Sequence, residues 1–147
     1  SVQQENLPSS VQRFFTEWKD QKKEIERMAQ RMVEMEIERL VPETVGGVPV
    51  VVRRIDLAPR DLASIASRVS DQGGVALLVS GIERAHVVLM SGSSKVNAGG
   101  IIGQVCGLLG GKGGGSPTLA QGGGPDIDNI ELALKIGKER IFSALHD

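Results

Sequence analysis

The least ordinary stretch of this sequence is GGKGGGSPTLAQGGG, residues 110–124. Of the 19 glycines in the chain, 12 lie between Gly99 and Gly124. Glycine permits positive φ angles, and it lets a ligand reach the peptide N–H groups because no Cβ intervenes. The stretch therefore predicts an ordered loop that presents backbone N–H groups to phosphate or sugar oxygens, with Lys112 as a mobile cation at its mouth.

Two known phosphate loops do not fit this spacing. A Walker loop requires glycine at position 106 and serine or threonine at 113, where the chain has Cys106 and Gly113. The dinucleotide pattern that starts at Gly111 requires glycine at 116, which is Ser116. The spacing argues against a nucleoside triphosphate site. A flexible linker is the alternative, but the apolar content of residues 119–121 favours a defined conformation.

Length and composition indicate one ordinary domain. The chain has 147 residues, is 40% hydrophobic and 24% charged, and carries a net charge of −1. The single cysteine excludes an internal disulfide and favours a reducing compartment, and no segment reaches the roughly 18 apolar residues of a membrane span. We expect a cytoplasmic domain without metal ion, cofactor or membrane partner. Because it opens on Ser1 rather than Met, we also expect a fragment of a longer chain.

Residues 8–40 predict one long helix, because Pro8 suits a first turn and no glycine or proline follows until Pro42. Its apolar residues recur at the a and d positions of a heptad, which is typical of a helix that packs against a partner helix. We predict that this seam is a dimer interface, formed by Val11, Phe14, Phe15, Trp18, Ile25, Met28 and Met32.

The breaker cluster PETVGG, residues 42–47, separates a helical subdomain, 1–47, from a globular subdomain, 48–147. The globular part predicts strands at 48–56, 75–80 and 85–90 and helices at 59–70, 98–109 and 126–146. Glycines at four-residue steps in the second of these helices, Gly99, Gly103 and Gly107, allow a close backbone neighbour, at a cost of about 1 kcal/mol each relative to alanine. The fold class is α+β: a long N-terminal helical subdomain followed by a small α/β globular subdomain with a glycine-rich loop.

The glycine stretch, with Asn97-Ala98-Gly99 one helix earlier, resembles the signature of the C-terminal domain of alanyl-tRNA synthetase, a domain shared with the DHH-associated family. Residues 7–18, LPSSVQRFFTEW, are similar to the linker into that domain in archaeal alanyl-tRNA synthetases. The resemblance implies a noncatalytic domain that forms a homodimer through its helical subdomain and contacts alanine tRNA through its globular one. Alanylation and editing would belong to the remaining domains of the same synthetase.

The same resemblance implies RNA-binding residues in the glycine loop. Ser116 stands where arginine is common and Thr118 where an acidic residue is frequent, which shifts weight to backbone N–H groups and to cations elsewhere. Because aromatic residues for base stacking are scarce, we expect recognition of sugar and phosphate by shape. The predicted RNA-binding residues are Lys112, Gly113, Gly114, Gly115, Ser116, Gln121, Gly122, Gly123, Arg53, Arg54, Lys95 and Asn97.

Two alternatives stay open. The chain could be a purely structural oligomerisation module whose glycines serve close helix packing, or an accessory domain of a DHH-type phosphoesterase. His86, in an apolar strand, is predicted to be a packed or surface residue, and Cys106 a structural one. The net charge of −1 is the main argument against tight tRNA binding by this domain alone.

Overall fold

The computed structural model describes residues 9–146, and the side chains of residues 19–146. The chain separates into two compact units, Ser1–Glu36 and Ile37–Asp147. The subdomain boundary expected between residues 47 and 48 stays a prediction.

Helix α1 (Ser9–Arg39) confirms the long helix expected over residues 8–40. Three of its apolar residues, Ile25, Met28 and Met32, are exposed to 67%, 58% and 52%. These are members of the predicted dimer seam, and they lie at the three- and four-residue steps that bring side chains onto one face of a helix. The remaining members, Val11, Phe14, Phe15 and Trp18, have side chains outside the described part of the chain.

Six strands form one mixed sheet in the order β1-β2-β3-β4-β6-β5. The strands β2 and β3 are parallel, and helix α2 (Pro59–Asp71) connects them; every other neighbouring pair is antiparallel. The strands are β1 (Glu43–Val45), β2 (Val48–Arg54), β3 (Val75–Ile82), β4 (Arg84–Ser91), β5 (Lys112–Gly115) and β6 (Leu119–Gly124).

Helices cover both faces of this sheet. Helix α2 packs on one face against β3 and β4, and helices α3 (Ala98–Leu108) and α4 (Ile130–His146) pack on the other. A short 3-10 turn, Ile127–Asn129, leads into α4. Because side chains alternate along a strand, Leu77 and Val87 face α3 and α4, whereas Leu78 and Val88 face α2. The α+β fold class is confirmed.

Three strands differ from the expectation. The short β1 lies inside the predicted breaker cluster, and the glycine stretch forms the hairpin β5–β6 rather than a loop. Glycine has low strand propensity and offers no alternation of polar and apolar side chains, so this pattern does not indicate a strand. The order comes from pairing with β4, in which Ala85 lies opposite Gly124 and Met90 opposite Leu119.

Candidate nucleic-acid interface

The glycine hairpin is one edge of the sheet, with β5 outermost. The N–H of Ser116 donates to the carbonyl oxygen of Leu119 at 2.8 Å, so the backbone N–H of Ser116 points inward, toward β6. In an antiparallel pair the inward-facing residues alternate with outward-facing ones. The backbone N–H groups of Gly113 and Gly115 therefore point away from β6, to a side on which the described residues place no further strand.

The hairpin tip is docked on the start of α3. The N–H of Ala98 donates to the carbonyl oxygen of Pro117 at 2.8 Å, and the N–H of Gly99 donates to the carbonyl oxygen of Ser116 at 3.0 Å. The N–H of Gly100 donates to the side-chain oxygen of Asn97, which caps the helix. These three N–H groups are engaged internally, so the start of α3 is not an open anion site. Whatever Asn97 and Ser116 contribute to a ligand comes in addition to this structural role.

Several hairpin glycines are required by packing. A Cβ at Gly113 or at Gly122 would stand 2.7 Å from the Sγ of Cys106 on α3, and one at Gly111 would overlap the carbonyl of Gly123. Burial raises the pKa of the Cys106 thiol, and a hydrogen bond from the Gly123 backbone offsets part of that effect. Cys106 is fully buried, as expected of a structural cysteine.

Three glycines in the same region have no such reason. A Cβ at Gly103, at Gly107 or at Gly114 would meet nothing within 4 Å. The close backbone neighbour that the glycines of α3 allow exists at Gly99, where a Cβ would stand 2.9 Å from the carbonyl oxygen of Gly115. At Gly103 and Gly107 the described residues place no such neighbour, because both positions face outward. The bare surface at these positions is not explained by the packing of this domain.

The four cations among the predicted RNA-binding residues divide into two groups. Lys112 begins β5 and Lys95 lies in the segment between β4 and α3; both are exposed, and neither has an ion pair within residues 19–146. Arg53 and Arg54 end β2, four strand spacings or about 19 Å from β5. The structure thus places Lys112 on the glycine hairpin and Asn97 beside its tip, puts Lys95 two residues before Asn97, and leaves the two arginines apart.

Arg54 also has a partner of its own. Its Nε donates to the Oδ1 of Asp56 at 3.0 Å, and the same oxygen accepts the N–H of Gly81 at 2.9 Å. The Gly81 hydrogen bond, together with the Arg54 guanidinium, holds the pKa of the Asp56 carboxyl below its ordinary value. Arg54 therefore closes the end of β2 onto β3 instead of extending toward the hairpin.

An open hollow of about 370 Å³ lies between the segment after β4 and the hairpin tip. Its polar lining is neutral, and sequence reasoning missed it as a site. The run Ser91-Gly92-Ser93-Ser94 was the available signal, but a hydroxyl run without an acid or base gives no indication of chemistry. The lining residues are Ser91, Gly92, Ser93, Ser94, Val96, Asn97, Pro117 and Thr118.

Among residues 19–146, no group of three or more histidine, cysteine, aspartate or glutamate side chains is arranged to hold a metal ion. No helix in that part of the chain is both long and apolar enough to cross a membrane.

The fold and the site define a class of protein: a three-layer α+β domain with a glycine hairpin at one edge of its sheet. Sequence comparison agrees, because the model of the DHHA1 domain family matches residues 47–142, and the chain belongs to that family. It is 66% identical over 145 residues to an alanine–tRNA ligase of Methanoregula boonei and 53% identical over 146 residues to one of Methanoculleus marisnigri. Each match covers 99% of this chain and 16% of the relative. The chain thus spans about one sixth of those curated relatives.

Solved structures share this fold. The fold is similar to the C-Ala domain of Aquifex aeolicus alanyl-tRNA synthetase, with a TM-score of 0.62 and 29% identity, covering 70% of this chain and 99% of that one. It shares its fold, at 12% identity and a TM-score of 0.56, with a DHH-domain member of the S1P family of ribosomal proteins. This second match covers 92% of the present chain and 35% of the other.

Proposed function

We propose that this chain is a noncatalytic accessory domain of an alanyl-tRNA synthetase, which contacts alanine tRNA at its glycine hairpin and forms a homodimer through α1. The remaining domains of that synthetase would carry out alanylation and editing. A cytoplasmic location follows from a partnership with tRNA, and no cofactor is proposed for this domain.

One observation carries the RNA part of the proposal. Gly114 lies on β5, the strand that the exposed Lys112 begins, and a Cβ there would meet nothing within 4 Å. Gly103 and Gly107 are equally open on α3, which packs on the opposite face of the sheet. A helix-interior glycine costs about 1 kcal/mol relative to alanine, so such positions are expected only where something else gains from the missing side chain. An RNA backbone that approaches closely gains in that way, because its sugar and phosphate oxygens can reach peptide N–H groups.

The experiment measures binding of fluorescently labelled alanine tRNA by anisotropy, between about 50 and 200 mM salt. Gly114→Glu places a carboxylate in open space at the hairpin edge, and we expect it to weaken binding by about tenfold through charge repulsion. Gly114→Ala adds only a methyl group to the same space and should preserve the fold. Ser143→Glu, on the exposed surface of α4, adds the same charge elsewhere and should leave binding close to wild type.

Three outcomes contradict the RNA contact: wild-type binding that is absent, binding that does not depend on salt, and equal affinities for Gly114→Glu and Ser143→Glu. A domain that still forms dimers but has no affinity for tRNA would instead support a purely structural oligomerisation module.

The dimer part rests on the exposed apolar residues of α1. Ile25, Met28, Met32 and Met35 are between 44% and 67% exposed, and an apolar stripe of this kind on a helix favours association with a second helix. We expect light scattering to give twice the mass of one chain, and Met28→Glu with Met32→Glu to give a monomer. Lys23→Glu changes an exposed charge on the same helix and should stay dimeric. A 15.6 kDa particle for the wild type at high concentration would refute the dimer.

A further inference from the structure

One row of residues crosses the outer strands of the sheet. His86 on β4 lies directly opposite Gly123 on β6, and Gly123 lies directly opposite Lys112 on β5. Residues directly opposite each other on antiparallel strands direct their side chains to the same face. Because Gly123 has no side chain, the row contains no side chain between those of His86 and Lys112.

This row lies on the face of the sheet opposite α3. Gly122, the neighbour of Gly123, faces Cys106 of α3, so the alternation along β6 turns the row toward the other face. On that face α2 packs against β3 and β4. Lys112 remains exposed and His86 is half-buried, so both side chains are accessible to a ligand.

The gap between the two side chains is fixed by the backbone. Two strand spacings separate the Cα atoms of His86 and Lys112 by about 9.6 Å. A side chain at position 123 cannot fill this gap, because a Cβ there would overlap the carbonyl oxygen of Ala85. The row therefore has a donor side chain on each side and bare backbone between them.

The chemistry of these two side chains selects the ligand. An imidazole N–H and an ammonium both donate hydrogen bonds, and the row itself contains no carboxylate. Lys112 has no ion pair within the described residues. A group with several acceptor oxygens and a negative charge can accept hydrogen bonds from both side chains at once, and a phosphodiester is such a group.

We propose that His86 and Lys112 hold one phosphate of the RNA backbone between them, above Gly123. This inference rests on the proposed RNA binding, and it adds a residue, His86, on a strand outside the glycine hairpin. It also explains how a domain with few aromatic residues and a net charge of −1 gains a fixed point of contact: one phosphate is gripped from two strands.

The test uses the same labelled alanine tRNA and the whole chain. We expect Lys112→Ala to lower affinity about tenfold and to reduce the salt slope by about one phosphate contact. His86→Phe keeps the ring and removes the donor, so it should also lose about tenfold. His86→Gln keeps a donor and should stay near wild type. Arg140→Ala, an exposed cation on α4, is the matched control.

The double variant separates one shared phosphate from two independent contacts. If His86 and Lys112 bind the same phosphate, the combined loss in His86→Phe with Lys112→Ala is smaller than the product of the single losses. Independent losses overturn the proposal. So does the reverse order at position 86, with phenylalanine near wild type and glutamine weak, because that order indicates base stacking.

Failure here is distinguishable from failure of the proposed function. If wild type binds with salt dependence and Gly114→Glu weakens it, while the variants at 86 and 112 match Arg140→Ala, only the phosphate grip is overturned. If wild type does not bind, both proposals fall. All variants are compared only after their thermal unfolding midpoints match that of wild type.

Discussion

Gly113 on β5 and Gly122 on β6 lie directly opposite each other, and both face the Sγ of Cys106 on α3. A Cβ at Gly113 would also stand 3.0 Å from the Cγ1 of Ile102. Helix and hairpin are therefore in contact through a sulfur atom that rests on bare backbone. This contact fixes how far the hairpin stands from α3.

The first prediction concerns this contact. Gly113→Ala should lower the free energy of unfolding by about 1–3 kcal/mol, because the added methyl group overpacks the space beside Cys106. Gly114→Ala, one position along, points into open space and should change stability little or raise it slightly. Urea denaturation of the two variants measures the difference.

A second background shows whether the sulfur is the obstacle. In Cys106→Ala, the cost of Gly113→Ala should fall, because the Sγ is the atom nearest to the added methyl group, ahead of Ile102 and the Gln121 carbonyl. If the effects of Cys106→Ala and Gly113→Ala on the free energy of unfolding are additive, the Sγ of Cys106 does not set the distance between the hairpin and α3.

Substitution of the outward-facing glycines of α3 should have the opposite effect on stability. Gly103→Ala and Gly107→Ala should each stabilise the domain by up to about 1 kcal/mol, because alanine is the better helix former and its Cβ meets no neighbour. Gly137→Ala on α4 is the contrasting case, since its Cβ would overlap the side chain of Leu77. Thermal unfolding midpoints should rise for the first two and fall for the third. A loss of stability at 103 or 107 would mean that an internal contact requires glycine there.

Two buried serines predict a pair of opposite effects. Ser80 is fully buried, and its hydroxyl has no hydrogen-bond partner among the described residues. Ser80→Ala should therefore stabilise the domain by about 1 kcal/mol, since it removes a buried polar group that is not satisfied. Ser91 is also buried, but its Oγ donates to the Ser93 carbonyl at 2.9 Å. Ser91→Ala should cost about 1 kcal/mol. Chemical denaturation of both variants checks the signs, and equal effects would contradict the assignment.

Asp56 predicts a pH dependence. Hydrogen bonds from Gly81 and Arg54 hold the pKa of its carboxyl below the ordinary value of about 3.9. A carboxyl with a lowered folded pKa stabilises the protein above its unfolded pKa, and the stabilisation is lost as the pH falls through the folded pKa. The stability of wild type relative to Asp56→Asn should therefore be constant near neutral pH and shrink below about pH 4. Because Asp56 is half-exposed, the effect is small. A relative stability that does not change with pH would show that these bonds do not favour the ionised form.

Periodicity and β-branched content were enough to predict α1, α2, α3, α4 and the three central strands, because each buries an apolar face whose spacing is visible in the sequence. The hairpin β5–β6 could not be predicted in this way. Its order depends on pairing with β4, a partner some thirty residues away, and glycines carry no face. The short β1 likewise depends on pairing with β2.

The candidate site was predicted in part. The glycine density located the hairpin, and Lys112, Lys95 and Asn97 lie in or beside it. Arg53 and Arg54 were included for charge alone, and sequence does not show that three strands separate them from β5. Nothing in the sequence indicates a functional role for His86, which is isolated in an apolar strand. Its position opposite Gly123 follows from a register that only the folded sheet provides.

The uncovered edge of β5 has a consequence for solubility. An exposed sheet edge invites pairing with another chain, and proteins usually prevent it with charged side chains, proline or a bulge. Residues 113–115 offer none of these, but three consecutive glycines have low strand propensity and no side chains to pack against those of a partner strand. The residues that leave this edge open to close approach thereby also make it a poor template for aggregation.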